Sequence, residues 1–478
     1  MAAAASDRDV ASWSGASGNG TDASWINASW IDAQPGSFWL DQAGAPEART
    51  VLAGDTECDL AIVGGGYSGL WTAILAKERD PNRDVLLLEA EKVAGAASGR
   101  NGGFCSASLT HGEPNGRDRF AGEYDRLHDL GLQNLAEIEK TVVRYGIDCD
   151  FARTGDLTVA TEAHQVSWLR ESGSEFLDTD AIRQQLNSAT YLAGCWDHDG
   201  TALVDPARLG WGLAAVAERL GVRVHDGSPV TALSRSGAGI ALVTANGSVQ
   251  ARQVALATNA FRPLLKRLRL FTVPVYDYVL MSEPLTVEQL ASIGWANRQG
   301  VSDSGNQFHY YRLSADNRIL WGGYDAIYHF GRRVERAYDQ RPATYAALAR
   351  NFFRTFPQLE GLRFSHRWGG AIDTCTRFCA FYGTAMRGQV AYALGYTGLG
   401  VGATRFGANV MLDLLSGVQT ERTELDMVRS KPLPFPPEPF AYAGVEITRR
   451  SLARADDNAG RRNLWLRTLD RAGLGFDS

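Results

Sequence analysis

Gly64-Gly65-Gly66-Tyr67-Ser68-Gly69 places glycines at the first, third and sixth positions of a short segment, and Glu89 follows the last of them by 20 residues. That spacing suits a dinucleotide. The first glycine makes a tight turn, the second lets a pyrophosphate approach the backbone, and the third lets a helix pack closely on a strand. The helix N-terminus would meet the phosphate charge, and Glu89 would accept hydrogen bonds from ribose hydroxyls. A Gly-rich turn in an ordinary α/β domain is the bland alternative; a strand before the turn, a helix after it and an acid in register argue against it.

Directly after Glu89 and Ala90 comes Gly95-Ala96-Ala97-Ser98-Gly99-Arg100-Asn101-Gly102-Gly103-Phe104, too rich in glycine and polar side chains for a simple crossover. With the acidic strand end, this stretch resembles the D-amino-acid oxidase-like (DAO) family of FAD oxidoreductases, and within it most closely the γ-glutamylputrescine oxidase branch. The resemblance covers most of Asp59 to Leu415. It includes Gly155 to Ala160, Val204-Asp205-Pro206, Ala257-Thr258-Asn259-Ala260, Trp368-Gly369-Gly370 and Gly395-Tyr396-Thr397-Gly398-Leu399-Gly400-Val401. It implies FAD contacts from Gly64, Gly66, Tyr67, Ser68, Gly69, Glu89, Ala90, Ser98, Gly99, Arg100, Asn101, Gly102, Gly103 and Phe104. Further contacts are implied from Val230, Thr258, Asn259, Gly370, Gly395, Gly398, Leu399, Gly400 and Val401. Val230 would set its backbone against adenine. Gly398 to Val401 would aim a helix N-terminus at flavin N1 and the C2 oxygen, where negative charge gathers when hydride reaches N5.

The implied reaction is oxidation of a C–N bond of a small amine by hydride transfer to flavin N5, giving an imine or aldehyde, with oxygen or another electron acceptor reoxidising the flavin. A neutral amine needs no dedicated base, because its lone pair assists hydride departure. An alkyl ammonium titrates near ~10, so the pocket must favour the neutral form by desolvation and aromatic walls. Tyr278, Tyr310, Tyr311, Tyr324, Trp368 and Tyr396 are candidates for those walls, and Arg312 for an anion anchor. Each aromatic would serve equally in core or sheet packing, and Arg312 reads as a strand salt-bridge partner before it reads as a substrate clamp.

Three departures from the family refine this expectation. Tyr396-Thr397-Gly398 stands where the glycine oxidase-like arm keeps an Arg for the substrate carboxylate, which argues against an α-amino acid. The Arg318 to Gly323 strand has Leu320-Trp321 and no Lys where the sarcosine oxidase-like arm keeps one that aids reaction with oxygen, so a dehydrogenase stands beside an oxidase. The Cys that attaches flavin in that arm is replaced near Trp368, so FAD is expected to be non-covalent, with Cys375 and Cys379 close by. Two alternatives remain open: a D- or secondary amino-acid oxidase or dehydrogenase, should Arg312 grip a carboxylate, and a flavin-holding subunit without turnover.

These residues need elements to hold them. The apolar run Leu60 to Val63, a helix over Leu70 to Lys77 and a buried strand Val85 to Leu88 make a βαβ unit. Leu127, Leu130, Leu135, Ile138, Val142 and Tyr145 mark an amphipathic helix closed by Gly146, and Pro206 opens a helix that runs through Leu220. Strands are expected at Val273 to Met281, Phe308 to Leu313 and Ile319 to Gly323, with a helix over Pro342 to Phe356. The fold class is α/β with α+β elements: an FAD-binding Rossmann-like domain from 56–150, 200–265 and 366–420, interleaved with an antiparallel-sheet substrate domain from 151–199 and 266–365. Residues 1–55, with Trp13, Trp25, Trp30 and Trp39, read as an arm on the body whose first 20 residues are disordered; 421–478, with five Pro between Pro432 and Pro439, read as an extended wrap and a short closing helix.

Composition agrees with a small-molecule partner. A chain of 478 residues, 45% hydrophobic, can build a large core, and a net charge of -6 argues against nucleic acid or anionic lipid as partner. The six Cys form no CxxC pair and have no His cluster beside them, so no metal site is expected. The N-terminus has no signal-peptide pattern and no run reaches the length of a membrane span, which points to the cytoplasm.

Overall fold

The computed structural model describes residues 24–172 and 174–475. Two sheets carry the molecule. The first has the parallel core Ser248–Leu256, Thr56–Val63, Val85–Leu88 and Arg223–His225 in that order, and Val390–Leu394 also pairs in parallel with Ser248–Leu256. Val85–Leu88 is buried at all four positions, as expected for a strand covered on both faces. The cover on one side is the Tyr67–Arg79 helix, packed between the Gly400–Ser416 and Pro206–Arg219 helices.

The second sheet runs Phe364–Thr374, Val273–Ser282, Ile319–Gly323, His309–Leu313, Gly300–Asp303, Asp156–Ala160, Ala193–Asp197 and Glu175–Leu177, with Gln34–Pro35 at its edge. Its pairings are antiparallel except Gly300–Asp303 with Asp156–Ala160 and Gln34–Pro35 with Phe364–Thr374. Phe364–Thr374, which the expected boundary at 366 would put with the first sheet, pairs along its length with Val273–Ser282. Its backbone register decides this: Val273 to Met281 pair one for one with Thr374 to His366, an unbroken antiparallel ladder. The Pro342–Thr355 helix covers one face, and its Tyr345, Leu348 and Phe352 join Trp321 and Tyr311 in the core of that layer.

The arm is part of this second layer. Trp25 meets Phe353 edge-on at 4.7 Å and Trp30 is buried against Tyr345. The disorder expected for the first 20 residues, like Trp13, lies outside the described residues. The C-terminal expectation needs correction: instead of an extended wrap with one short helix, Phe440–Asp456 forms a 17-residue helix and Leu464–Arg471 a second. Proline density ends at Pro439, which caps the longer helix, and no proline interrupts the residues after it. Among the described residues no helix is long and apolar enough to cross a membrane.

Candidate functional site

The phosphate turn is built by exclusion of side chains. Gly64 has φ +110, and a Cβ on it would lie 2.4 Å from the Ala257 carbonyl oxygen. A Cβ on Gly69 would lie 1.9 Å from the Gly64 oxygen, so strand and helix could not approach. The Tyr67–Arg79 helix begins with no acidic residue in its first turn, leaving its positive end for a ligand. Glu89 ends the neighbouring strand and accepts from the Gly65 N–H at 2.6 Å, while burial raises its pKa.

From this turn a cavity of about 1200 Å³ opens between the sheets. Gly66, Tyr67, Ser68, Ser98, Asn101 and Gly102 line one side, and Gly398 to Val401, at the start of the Gly400–Ser416 helix, line another. That helix also begins without an acidic residue. Asp373 holds the loop before it, accepting from the Gly395 N–H at 2.5 Å, and burial pushes this carboxyl up to about 7. Five cavity residues other than glycine have positive φ: His111, Asn259, Tyr324, Phe378 and Thr397. Such strain persists where surrounding structure over-determines it, and it concentrates at functional sites.

The second sheet supplies an aromatic wall, and three carboxylates of its strands, Asp156, Asp277 and Asp373, stand in the lining. The Tyr310 hydroxyl donates to Asp277 Oδ2 at 2.5 Å, and burial pushes the Asp277 carboxyl up to about 6. Tyr324 stacks on His309, which burial pulls down to about 4 and so keeps neutral. Trp368 donates from Nε1 to the Arg100 carbonyl at 2.8 Å, and the Tyr396 and Ser68 hydroxyls meet at 3.2 Å. The two arginines of the lining are both paired: Arg100 with Asp339 at 2.6 Å, and Arg449 with Asp325 at 3.2 Å and Glu446 at 3.0 Å.

The pattern of the FAD dependent oxidoreductase family, DAO, matches residues 59–414. The chain belongs to this family. It is 32% identical over 403 residues to γ-glutamylputrescine oxidoreductase of Escherichia coli, covering 80% of this chain and 89% of that protein. It is 27% identical over 347 residues to the β subunit of sarcosine oxidase from an Arthrobacter species, covering 66% and 76%. Among solved structures, glycine oxidase from Bacillus cereus superposes with a TM-score of 0.63 at 18% identity, over 79% of this chain and 99% of that one. Fructosamine oxidase from Aspergillus fumigatus gives 0.63 at 16% identity, over 77% and 89%.

As a member of the DAO family the protein is an FAD-dependent oxidoreductase, and the residues present fit that cofactor. Two uncapped helix ends flank the cavity, a Cβ on Gly370 would meet nothing within 4 Å, and Asn259 Oδ1 is buried without a hydrogen-bond partner among the described residues. These are backbone and side-chain groups that a flat, hydrogen-bonding ring system can engage.

Of the residues expected to contact the cofactor, Gly66, Tyr67, Ser68, Ser98, Arg100, Asn101, Gly102, Phe104, Asn259, Gly370, Gly398, Leu399, Gly400 and Val401 line the cavity. Gly64, Gly69, Gly99, Gly103, Thr258 and Gly395 stand behind it; Gly99 and Gly103, for instance, let backbone pass at distances no Cβ allows. Glu89, Ala90 and Val230 lie past the phosphate turn, where the Ser228 N–H donates to the Glu89 carbonyl at 2.7 Å and brings the 228–230 segment alongside.

Of the expected pocket residues, Tyr310, Tyr324, Trp368 and Tyr396 face the cavity. Tyr278, Tyr311 and Arg312 do not. Tyr278 donates to the Tyr338 carbonyl, and Tyr311 pairs with the Tyr191 hydroxyl at 2.5 Å inside the core. Arg312 is 4% exposed and donates to the Val204 carbonyl at 2.6 Å and the Gly103 carbonyl at 3.3 Å, so its guanidinium is committed to backbone behind the cavity. Strand parity separates Tyr311 from Tyr310, adjacent residues that point to opposite faces, whereas Arg312 shares the face of Tyr310 and is kept from the cavity by its bonds to the Val204 and Gly103 carbonyls.

Asp277 and the C-terminal helices were not among the expected site residues. Asp277 carried a signal, a lone carboxylate in the apolar run Val273 to Met281, where an unexplained charge is a candidate for chemistry. The helices carried a weaker one, since Phe440, Gly444, Ile447 and Thr448, and Leu452 recur at helical spacing, and all of them line the cavity.

Proposed function

We propose that this protein oxidises an amine that carries no carboxylate on the carbon beside its nitrogen. The carrying observation is the charge of the lining: its two arginines are both neutralised by carboxylates of the protein, while the acceptor pair Asp277 and Tyr310 faces inward. An α-carboxylate would be desolvated there without a partner, whereas an amine nitrogen finds one. The amino-acid oxidase alternative rested on Arg312, which is committed to backbone carbonyls.

Gly64 to Gly69 and Glu89 would hold the nucleotide part of FAD, with Ser98 to Gly102, Asn259 and the Gly398 to Val401 turn around the flavin. Bound there, FAD would supply the acceptor for the hydride, and with it the two electrons, that leaves the carbon beside nitrogen. The aromatic wall of Tyr310, Tyr324, Trp368 and Tyr396 disfavours the ammonium by desolvation. Asp277, ionised above about pH 6, takes the proton the ammonium gives up, with the Tyr310 hydroxyl between them orienting the exchange. The helix end at Gly400 stabilises negative charge arriving beside it.

The cofactor is held without a covalent bond in this reading. Cys375 and Cys379 are buried behind the lining, and desolvation pushes the Cys379 thiol up to about 12, so neither is poised to attack. Leu320 and Trp321 are packed into buried clusters, so no cation from that strand serves oxygen at the flavin. The E. coli relative, named for γ-glutamylputrescine, supports an amine set away from any carboxylate. A cytoplasmic enzyme passing electrons to oxygen or another acceptor completes the proposal.

The test is anaerobic. Mixing the purified yellow protein with polyamines, γ-glutamyl amines, N-methyl amino acids and α-amino acids should bleach the flavin band with the polyamines and γ-glutamyl amines, which offer an amine with no carboxylate on the carbon beside it. Rapid recolouring in air marks an oxidase and slow recolouring a dehydrogenase. Bleaching by α-amino acids alone overturns the proposal.

A further inference from the structure

The family match ends at residue 414, yet the cavity continues onto residues 433–474, which belong to the C-terminal helices and the proline-rich segment before them. Phe435, Ile447, Leu452, Trp465, Leu469 and Leu474 face it, and Arg449, turned aside into its pairs with Asp325 and Glu446, is the sole charged residue this wall presents among those described. Ile447 and Trp465 both line the cavity, and at 47% and 37% exposure they keep apolar surface that no protein covers.

This wall is fixed in place. Asp456 accepts from the Asn306 and Gln307 backbone N–H groups at 2.9 Å each, and from the Asn306 side chain at 2.7 Å. Tyr328 donates to Glu438, and Trp465 Nε1 donates to Thr448 Oγ1 at 2.9 Å, which joins the two helices. At the far end Arg119 donates to the carbonyls of Gly473 and Gly475 at 2.5 and 3.0 Å. Hydrogen bonds thus hold the hairpin to the second sheet's loops at one end and to the Glu113–Phe120 helix at the other. Its apolar face is a shaped boundary of the site.

We infer that this wall receives the remote end of the substrate, and that this end is an alkyl chain or an aryl group. The inference rests on the amine reading above and adds the class of amine. A polar or zwitterionic remote end would lose its hydration against side chains that offer it no partner. An apolar one gains with each methylene covered.

The holoenzyme is assayed with straight-chain 1-aminoalkanes from butyl to decyl, alongside putrescine and γ-glutamylputrescine, by the anaerobic rate of flavin reduction. We expect kcat/KM to rise about fourfold per added methylene over the first several carbons, the worth of a buried methylene. The two polar amines should fall below hexylamine. Ile447→Asp and Leu469→Asn should flatten the slope. Calorimetry with 1-alkanols, which carry no amine, provides a second reading that needs no turnover: the same slope is expected in Kd. Rates and alkanol affinities independent of length, or preference for the polar amines, overturn the inference while leaving the amine reading intact. Should no amine reduce the flavin, the amine reading fails, and the alkanol slope still decides the character of the wall.

Discussion

The two ends of the cavity are built on opposite rules. At the phosphate turn, function comes from atoms that are missing: Gly64 and Gly69 leave room for backbone, and uncapped helix ends supply charge without a side chain. At the amine end, function comes from what side chains add, in Tyr310, Asp277, Tyr324 and the apolar C-terminal wall. Tolerance to substitution differs accordingly. A backbone cradle fails whenever a Cβ intrudes, whereas a side-chain pocket can change its clientele one residue at a time.

Gly69→Val breaks this contrast most severely. A Cβ there would sit 1.9 Å from the Gly64 oxygen, so strand and helix must separate, and the variant is expected to lose bound flavin and most soluble protein. Retention of the visible flavin spectrum would show that the cradle is not closed by this contact.

Next in size is Asp277→Asn, expected to lower kcat/KM about 100-fold and to remove an acid limb near pH 6 from its pH profile. Tyr310→Phe is a milder companion, about tenfold. The Tyr310 hydrogen bond lowers the Asp277 pKa, while Asp325 nearby raises it, so losing the hydroxyl should move the acid limb upward. A pH profile unchanged in both variants would remove Asp277 from the reaction.

Arg312→Met tests whether a residue behind the wall acts only through the wall. Its hydrogen bonds to Val204 and Gly103 predict a loss of about 2 kcal/mol in stability with KM nearly unchanged. A tenfold rise in KM without loss of stability would restore Arg312 as a substrate contact.

The smallest effect expected is on pH-dependent stability, and it belongs to the second sheet. Burial pushes Asp156 and Asp277 up to about 6 and Asp303 and Asp373 up to about 7, all on its strands. Each folded-state pKa lies above the usual carboxylate value, so folding favours the protonated form. That stabilisation is full below about pH 4 and is lost as the pH rises through 6 to 7. Thermal melting should therefore fall by a few degrees between pH 5 and 7.5 and level off above, and Asp373→Asn should reduce the slope.

Much of the fold was legible in short-range pattern. Val85 to Leu88, Ile319 to Gly323 and the helix closed by Gly146 at φ +63 stand where periodicity and end signals place them. The glycine turn was legible too, since Gly spacing is local and Gly69 answers a contact with Gly64 inside the same βαβ unit, although Gly64 makes room for the distant Ala257 carbonyl. The amine end was legible only as a set of aromatics. Tyr310, Tyr311 and Arg312 are consecutive, and the sequence alone does not say which of the three faces the ligand; strand parity and the partner strands decide it. The C-terminal wall was hidden behind five prolines, which read as an extended tail because nothing local reveals what the helices after them pack against.

That a glycine turn would stand between parallel strands with an acid in register was legible in the sequence, because that geometry is carried by backbone conformation within some 40 consecutive residues, from Leu60 to Gly99. The rest came from the folded chain: that Arg312 braces a loop, that Asp277 meets Tyr310 across 33 residues, and that residues after 433 close the cavity. Range separates the two. Glycine turns and helix ends are specified by neighbours in the chain, whereas burial, carboxylate pKa and the shape of a pocket depend on which distant side chains fold against one another.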